Sequence, residues 1–265
     1  MNNNNKHLDE LHMHKHAIIS KASNDVYYHG IEEGEKNLKM YLPNHTIDKK
    51  ISSKNATIIK DTQAPNVYIS YRPTDPLNIS DLAVDTLEIF ANLPINGRFT
   101  EAQNKYEEVK KVYPNSKIIT TGHSLGASEA VYVGRKNNID SVGFNIGSSP
   151  TQLVSEINAS IKHTKPATIY HTFADPISVS NAFIDTNDDI ITLSPKYLNL
   201  HSLSNFLPDK AINLETSFKN NWLNYTHLID NHHLLNPNLA KYKYDPNEIN
   251  FIKKHKNKIF INELT

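Results

Sequence analysis

One stretch near the middle of the chain restricts the possible folds more than any other: Ser116-Lys117-Ile118-Ile119-Thr120-Thr121-Gly122-His123-Ser124-Leu125-Gly126-Ala127-Ser128-Glu129-Ala130. A β-branched run feeds straight into Gly122-His123-Ser124-Leu125-Gly126, and a helical pattern follows at once. A Gly-x-Ser-x-Gly turn between strand and helix is sharp and strained, so it thrusts the serine hydroxyl out of the sheet edge, and bulky flanking residues would clash there. Gly122 and Gly126 remove those clashes, with His123 and Leu125 filling the variable positions. The helix beginning after Ser124 aims free N–H groups and a partial positive charge at any oxyanion that develops beside the hydroxyl, with the Leu125 N–H as first donor. Ser124 is read as a nucleophile.

The surroundings supply an architecture. Four apolar, β-branched runs stand along the chain: Asn66 to Tyr71, Lys117 to Thr121, Ser141 to Ile146 and Ala167 to Phe173. Helical spacing fills Asp81 to Ala91, Thr100 to Val112 and Ala127 to Lys136, with Thr100-Glu101-Ala102-Gln103 as a capping box. Alternating strands and helices predict βαβ units, hence an α/β class: a doubly wound, mostly parallel sheet with helices on both faces. Upstream, residues 7–23 read as an amphipathic helix and residues 40–62 as a hairpin or irregular strands, together bracing the sheet. From residue 207 to 265 the chain reads as helical cover anchored by Trp222, Tyr225 and Leu234-Leu235, ending in the basic run Lys253 to Lys258. No stretch reads as a linker, so residues 1–265 are expected to form one domain with its core at about 66–206.

Composition excludes several functions. Lys plus Arg equals Asp plus Glu at 28 each, so no global field recruits nucleic acid. With no cysteine, thiol nucleophiles, disulfides and cysteine-based zinc sites are all absent. His12, His14 and His16 would chelate a metal on an extended strand, but on a helix His14 diverges from the other two, and His232-His233 lacks a third ligand at helical spacing. No metal site and no cofactor are expected. Met1-Asn2-Asn3-Asn4-Asn5-Lys6 leads into histidines rather than an apolar core, and no window approaches roughly 18 uninterrupted apolar residues. The expectation is intracellular synthesis without a membrane span. The basic run Lys253 to Lys258 suits either a solvated face or peripheral contact with anionic lipid headgroups.

The elbow, with Thr121 before it and the tract Thr100 to Tyr113 upstream, resembles the fungal-type lipase family called class 3, within the α/β-hydrolase superfamily. Val67-Tyr68-Ile69-Ser70-Tyr71-Arg72-Pro73-Thr74 is similar to the family's oxyanion strand, although Pro73 stands where the family has glycine. Asp81-Leu82-Ala83-Val84-Asp85 resembles the helix that follows, and Gly147-Ser148-Ser149-Pro150 the strand end after the elbow. The resemblance implies a Ser-Asp-His order. Asp175 follows a β-like run and matches the family's Asp-Pro-Val-like segment; its other reading is a loop aspartate capping a turn before Pro176. Among five later histidines, His201 is preferred because His201-Ser202-Leu203-Ser204-Asn205-Phe206 is similar to a form found in some relatives; His227 is the reserve. Thr74 would supply the second oxyanion donor. Any lid would have to use Asp81 to Leu87 itself.

These readings converge on cleavage of a lipid or other carboxylic ester through an acyl-enzyme on Ser124, with His201 as base, Asp175 as orienter, and Leu125 and Thr74 at the oxyanion. The alternative from another class is an inactive lipid-binding or scaffold protein that keeps the fold, which Pro73 favours. The sequence carries no signal of oligomeric state.

Overall fold

The computed structural model describes residues 3–73, 95–147, 165–173, 175, 178, 188–197 and 199–208, of which residues 3–11 and 95–96 are described by their backbone alone. Among these, seven strands form one sheet: β1 (His45–Ile47), β2 (Ala56–Asp61), β3 (Asn66–Tyr71), β4 (Lys117–His123), β5 (Asp140–Phe144), β6 (Thr168–Thr172) and β7 (Asp189–Leu193). β1, β2 and β3 pair antiparallel, and β3 through β7 run parallel. The described helices are α1 (Asn3–His29), α2 (Ile31–Tyr41), α3 (Ile95–Val112) and α4 (Leu125–Asn137), followed by a 3-10 turn at Leu203–Phe206. None of them is long and apolar enough to cross a membrane.

Alternation along the strands explains why the sheet is covered on both sides. In β3, Val67, Ile69 and Tyr71 join one core with Phe99, Tyr106 and Val109 of α3 and Ala127, Ala130 and Val131 of α4. Tyr68 points the other way, into a second core with Met13, Ala17 and Ile18 of α1, Phe144, Tyr170 and Phe206. The same switch separates Ile118 from Ile119 in β4. Each fully buried side chain of this size contributes about 1.5–3 kcal/mol.

The winding differs from expectation. Strand order follows chain order from β1 to β7 with no reversal, and right-handed crossovers advancing in one direction deliver α3 and α4 to the same face. Among the described residues the opposite face is covered by α1, and the strand order has no reversal point of the kind a doubly wound sheet requires. Period-2 and period-3.6 patterns identify strands and helices, but do not say on which flank of the growing sheet the next strand docks.

Several boundaries are also corrected. The N-terminal helix runs well past residues 7–23, and a second helix follows after Gly30, whose φ of 86° breaks the first. Thr100-Glu101-Ala102-Gln103 lies inside α3 instead of capping it: Phe99 is buried and extends the stripe Phe99, Ala102, Tyr106, Val109 back by one turn. β7 was missed because it is largely exposed and lacks a buried periodicity. The hairpin expected within residues 40–62 is present as β1 and β2, with His45 opposite Asp61. The expected helix at Asp81 to Ala91, the lid residues Asp81 to Leu87 and the cover from 209 onward, including Trp222, His227, His232-His233 and Lys253 to Lys258, lie outside the described residues.

Candidate active site

β4 and α4 meet at Ser124, whose φ of 56° and ψ of −124° are sparsely populated for a residue with a side chain. Holding it there requires close backbone contacts on both sides. A Cβ on Gly122 would meet the Gly126 carbonyl carbon and oxygen at 2.3 Å, and one on Gly126 would meet the Tyr71 carbonyl oxygen at 2.3 Å. The elbow is therefore pressed against the end of β3, and the Ser124 N–H is spent on the Phe144 carbonyl at 3.0 Å. Leu125 opens α4, so its N–H belongs to the first helical turn and has no partner within the helix.

The parallel strands bring two distant limbs to this edge. Asp175 follows β6 by three residues, and His201 lies beyond β7 in the loop before the 3-10 turn. The Ser124 hydroxyl donates to His201 Nε2 at 2.9 Å, and His201 Nδ1–H donates to Asp175 Oδ2 at 2.9 Å. Asp175 is wholly buried, Ser124 is 2% exposed, and the His201 side chain retains 12% exposure. Asp175 Oδ2 also accepts the Ser178 N–H at 3.3 Å and the Ser178 hydroxyl. Those bonds stabilise the ionised carboxylate and orient it toward the imidazole.

The loop carrying His201 is ordered by its own sequence. Asn205 Oδ1 accepts the N–H groups of Lys196 and Tyr197 at 2.9 and 3.0 Å, while its Nδ2 donates to the carbonyls of Asn199 at 2.6 Å and Ser202 at 3.2 Å. Leu203 and Phe206 sink into the core, the Phe206 ring lying 5.1 Å from Phe144. His14 Nδ1–H donates to the Phe206 carbonyl at 2.8 Å and ties the loop to α1. His123, noted from sequence only as part of the elbow, donates from Nε2 to the His201 carbonyl at 2.7 Å. Burial, then the neighbouring His201, hold the His123 ring down to about 3, so it remains a neutral donor.

Behind the elbow, buried Glu129 pairs with Arg98 Nε at 2.7 Å, and Arg98 Nη2 donates to the Arg72 carbonyl at 3.1 Å. Burial pushes the Glu129 carboxyl up to about 7 against the opposing pull of Arg98. Arg72 itself donates to the Lys54 carbonyl at 2.6 Å and lies 3.8 Å over the Tyr27 ring. The segment leading to Thr74 is thereby anchored as far as Arg72 and Pro73; Thr74 lies outside the described residues. Sequence reasoning missed Arg98, Glu129, Asn145 and Ser178, none of which carries a motif signal of its own, and it met Asn205 only inside the segment that carries His201, with no role assigned to it.

Among the described residues, no group of three or more His, Asp or Glu side chains is placed to hold a metal ion. The His12 and His16 rings lie 4.5 Å apart on α1, tilted by 50°, while His14 turns to Phe206.

No family model matches the chain, and no curated protein matches its sequence. Among solved structures, it is similar to lipase II from Rhizopus niveus, at 17% identity over 64% of this chain and 74% of that one, with a TM-score of 0.44. It is likewise similar to the Lip2 lipase of Yarrowia lipolytica, at 14% identity over 77% and 84% of the two chains, TM-score 0.44. A Rhizomucor miehei lipase propeptide complex gives 13% identity over 81% and 80%, TM-score 0.46.

Proposed function

We propose that this chain is a serine hydrolase of the α/β-hydrolase type, folded as one domain, that cleaves carboxylic esters through an acyl-enzyme on Ser124. The observation that carries the reading is the unbroken relay from Ser124 Oγ through His201 to Asp175, at 2.9 Å per step, starting from a serine held in a strained elbow.

A serine hydroxyl is a weak nucleophile until a base removes its proton. His201 Nε2 takes that proton as Ser124 Oγ attacks the ester carbonyl carbon, and Asp175 stabilises the imidazolium while fixing the tautomer that leaves Nε2 free. The carbonyl oxygen becomes an oxyanion facing the start of α4, where the Leu125 N–H is the nearest donor and Thr74 is the second by resemblance. His201 then returns its proton to the departing alcohol. Water, deprotonated by the same imidazole, attacks the acyl-enzyme and regenerates Ser124. No step calls for a cofactor. A lipid ester is the proposed substrate class, on the strength of the motif resemblance in residues 66–206, and contact with a lipid surface follows from it.

A fluorophosphonate probe tests the reading. The parent is expected to label at Ser124, and Ser124→Ala to remain unlabelled; folded parent that refuses the probe would end the proposal. Hydrolysis of soluble esters, triglycerides and phospholipids in parallel then separates a lipase from a short-chain esterase or a phospholipase. Lipid binding that survives Ser124→Ala, without turnover by the parent, would point instead to a binding protein.

A further inference from the structure

One buried side chain outside the relay joins the two limbs that carry Asp175 and His201. Asn145 follows β5 with a φ of 42°, in the left-handed region that asparagine tolerates, and is 0% exposed. Its partners dictate how the amide is turned. The Thr172 N–H is a donor and reaches Oδ1 at 2.9 Å; the Leu200 carbonyl is an acceptor and receives Nδ2 at 3.0 Å. Thr172 ends β6, three residues before Asp175, and Leu200 immediately precedes His201. The Ser178 hydroxyl, which donates to Asp175 Oδ2, lies 3.4 Å from Asn145 Oδ1. One planar amide thus spans the gap between the acid limb and the imidazole limb, touching neither reacting group. In a dry interior such bonds are strong and leave little freedom, because an unmade one strands a buried polar atom.

We propose that Asn145 is a positioning residue: its side-chain amide sets the spacing of the two limbs and with it the alignment of the His201–Asp175 hydrogen bond. The role rests on the Ser-His-Asp reading above. An asparagine chosen merely for its backbone would need only the left-handed φ; both side-chain ends would then be replaceable without effect on the relay.

Three variants separate these cases. Asn145→Asp keeps the size and the backbone preference but turns an oxygen toward the Leu200 carbonyl. Asn145→Gly keeps the backbone and removes the amide. Ser178→Ala removes the hydroxyl that links Oδ1 to Asp175 while leaving both backbone bonds of Asn145 in place. Each is assayed for kcat and KM on p-nitrophenyl butyrate, and by proton NMR for the downfield line of the His201 Nδ1–H. Asn145→Asp and Asn145→Gly are expected to lower kcat about 10–100-fold with KM within about twofold, because misalignment of the relay penalises the transition state alone. The downfield line should shift or vanish in both, and shift in Ser178→Ala with less than about a tenfold loss of kcat. Folded Asn145 variants with the kcat and the NMR line of the parent would overturn the proposal; should they not fold, an unmoved line in Ser178→Ala would do the same. A parent that neither hydrolyses the ester nor takes the fluorophosphonate sinks the hydrolase reading only, since the NMR comparison still decides what Asn145 does.

Discussion

Replacing Glu129 with glutamine should change how stability depends on pH, and the structure sets the size of the change. Glu129 is 1% exposed, and burial raises its carboxyl from an ordinary 4.5 to about 7 despite Arg98. Between those values the folded protein keeps a proton that the unfolded chain has released, so stability falls as pH rises through this window. At 1.36 kcal/mol per unit, the ionised carboxylate costs about 2–3 kcal/mol by about pH 8, relative to about pH 5. Glutamine has nearly the shape of the protonated acid, still accepts from Arg98 and does not titrate. The stability of Glu129→Gln minus that of the parent should therefore grow by about 2–3 kcal/mol from about pH 5 to about pH 8. Urea unfolding followed by circular dichroism, at intervals across this range, measures the difference directly. Buried histidines titrate alike in both proteins and cancel. Two stability curves that stay parallel across the range would refute the reasoning.

Three further outcomes are expected. Ser124→Gly should raise the melting temperature by a few degrees while abolishing labelling, since glycine relieves a backbone conformation that costs about 1–3 kcal/mol; a lowered melting temperature would show that the elbow is not strained. His123→Phe leaves the part-buried His201 carbonyl without this donor, which should cost about 1–3 kcal/mol and slow turnover roughly tenfold, read from urea midpoints and kcat. His16 is held well below its ordinary value, first by burial and then by His12, and its Nδ1 has no partner among the described residues. As pH falls below about 6.5 the unfolded chain gains a proton that the folded one refuses, so stability drops as the solution is acidified. Thermal melts of His16→Met over that range should show this part of the acid loss removed.

The parts legible from sequence are those where one residue type satisfies a constraint alone. The bounds of β3 could be read outright because Asn66 to Tyr71 is β-branched and aromatic between turn residues, and the elbow because its backbone contacts leave no room for a Cβ at Gly122 or Gly126. Asp175 and His201, named from a resemblance, stand within hydrogen-bonding distance of one another, and His201 stands within that distance of Ser124. What could not be read depends on partners far along the chain. Asn145 looks like any other residue in an asparagine-rich sequence, and Asn205 shows only as one position of the His201 segment, yet the side chain of each organises backbone elsewhere in the chain by hydrogen bonds. Arg135 and Asp188 form a buried ion pair across 53 positions that no local pattern announces. The one-way winding was illegible for the same reason: it is a property of docking order.

That winding has a consequence for how such a protein diversifies. Because β3 through β7 advance side by side in a single direction, every segment leaving their carboxyl ends starts from the same rim, where Ser124, Asp175 and His201 also stand. Two cores and a continuous hydrogen-bonded ladder lie below that rim and are untouched by what is spliced onto it. Position on the rim and integrity of the framework are thus mechanically decoupled: a segment that leaves the rim can be lengthened, shortened or replaced without refolding the foundation.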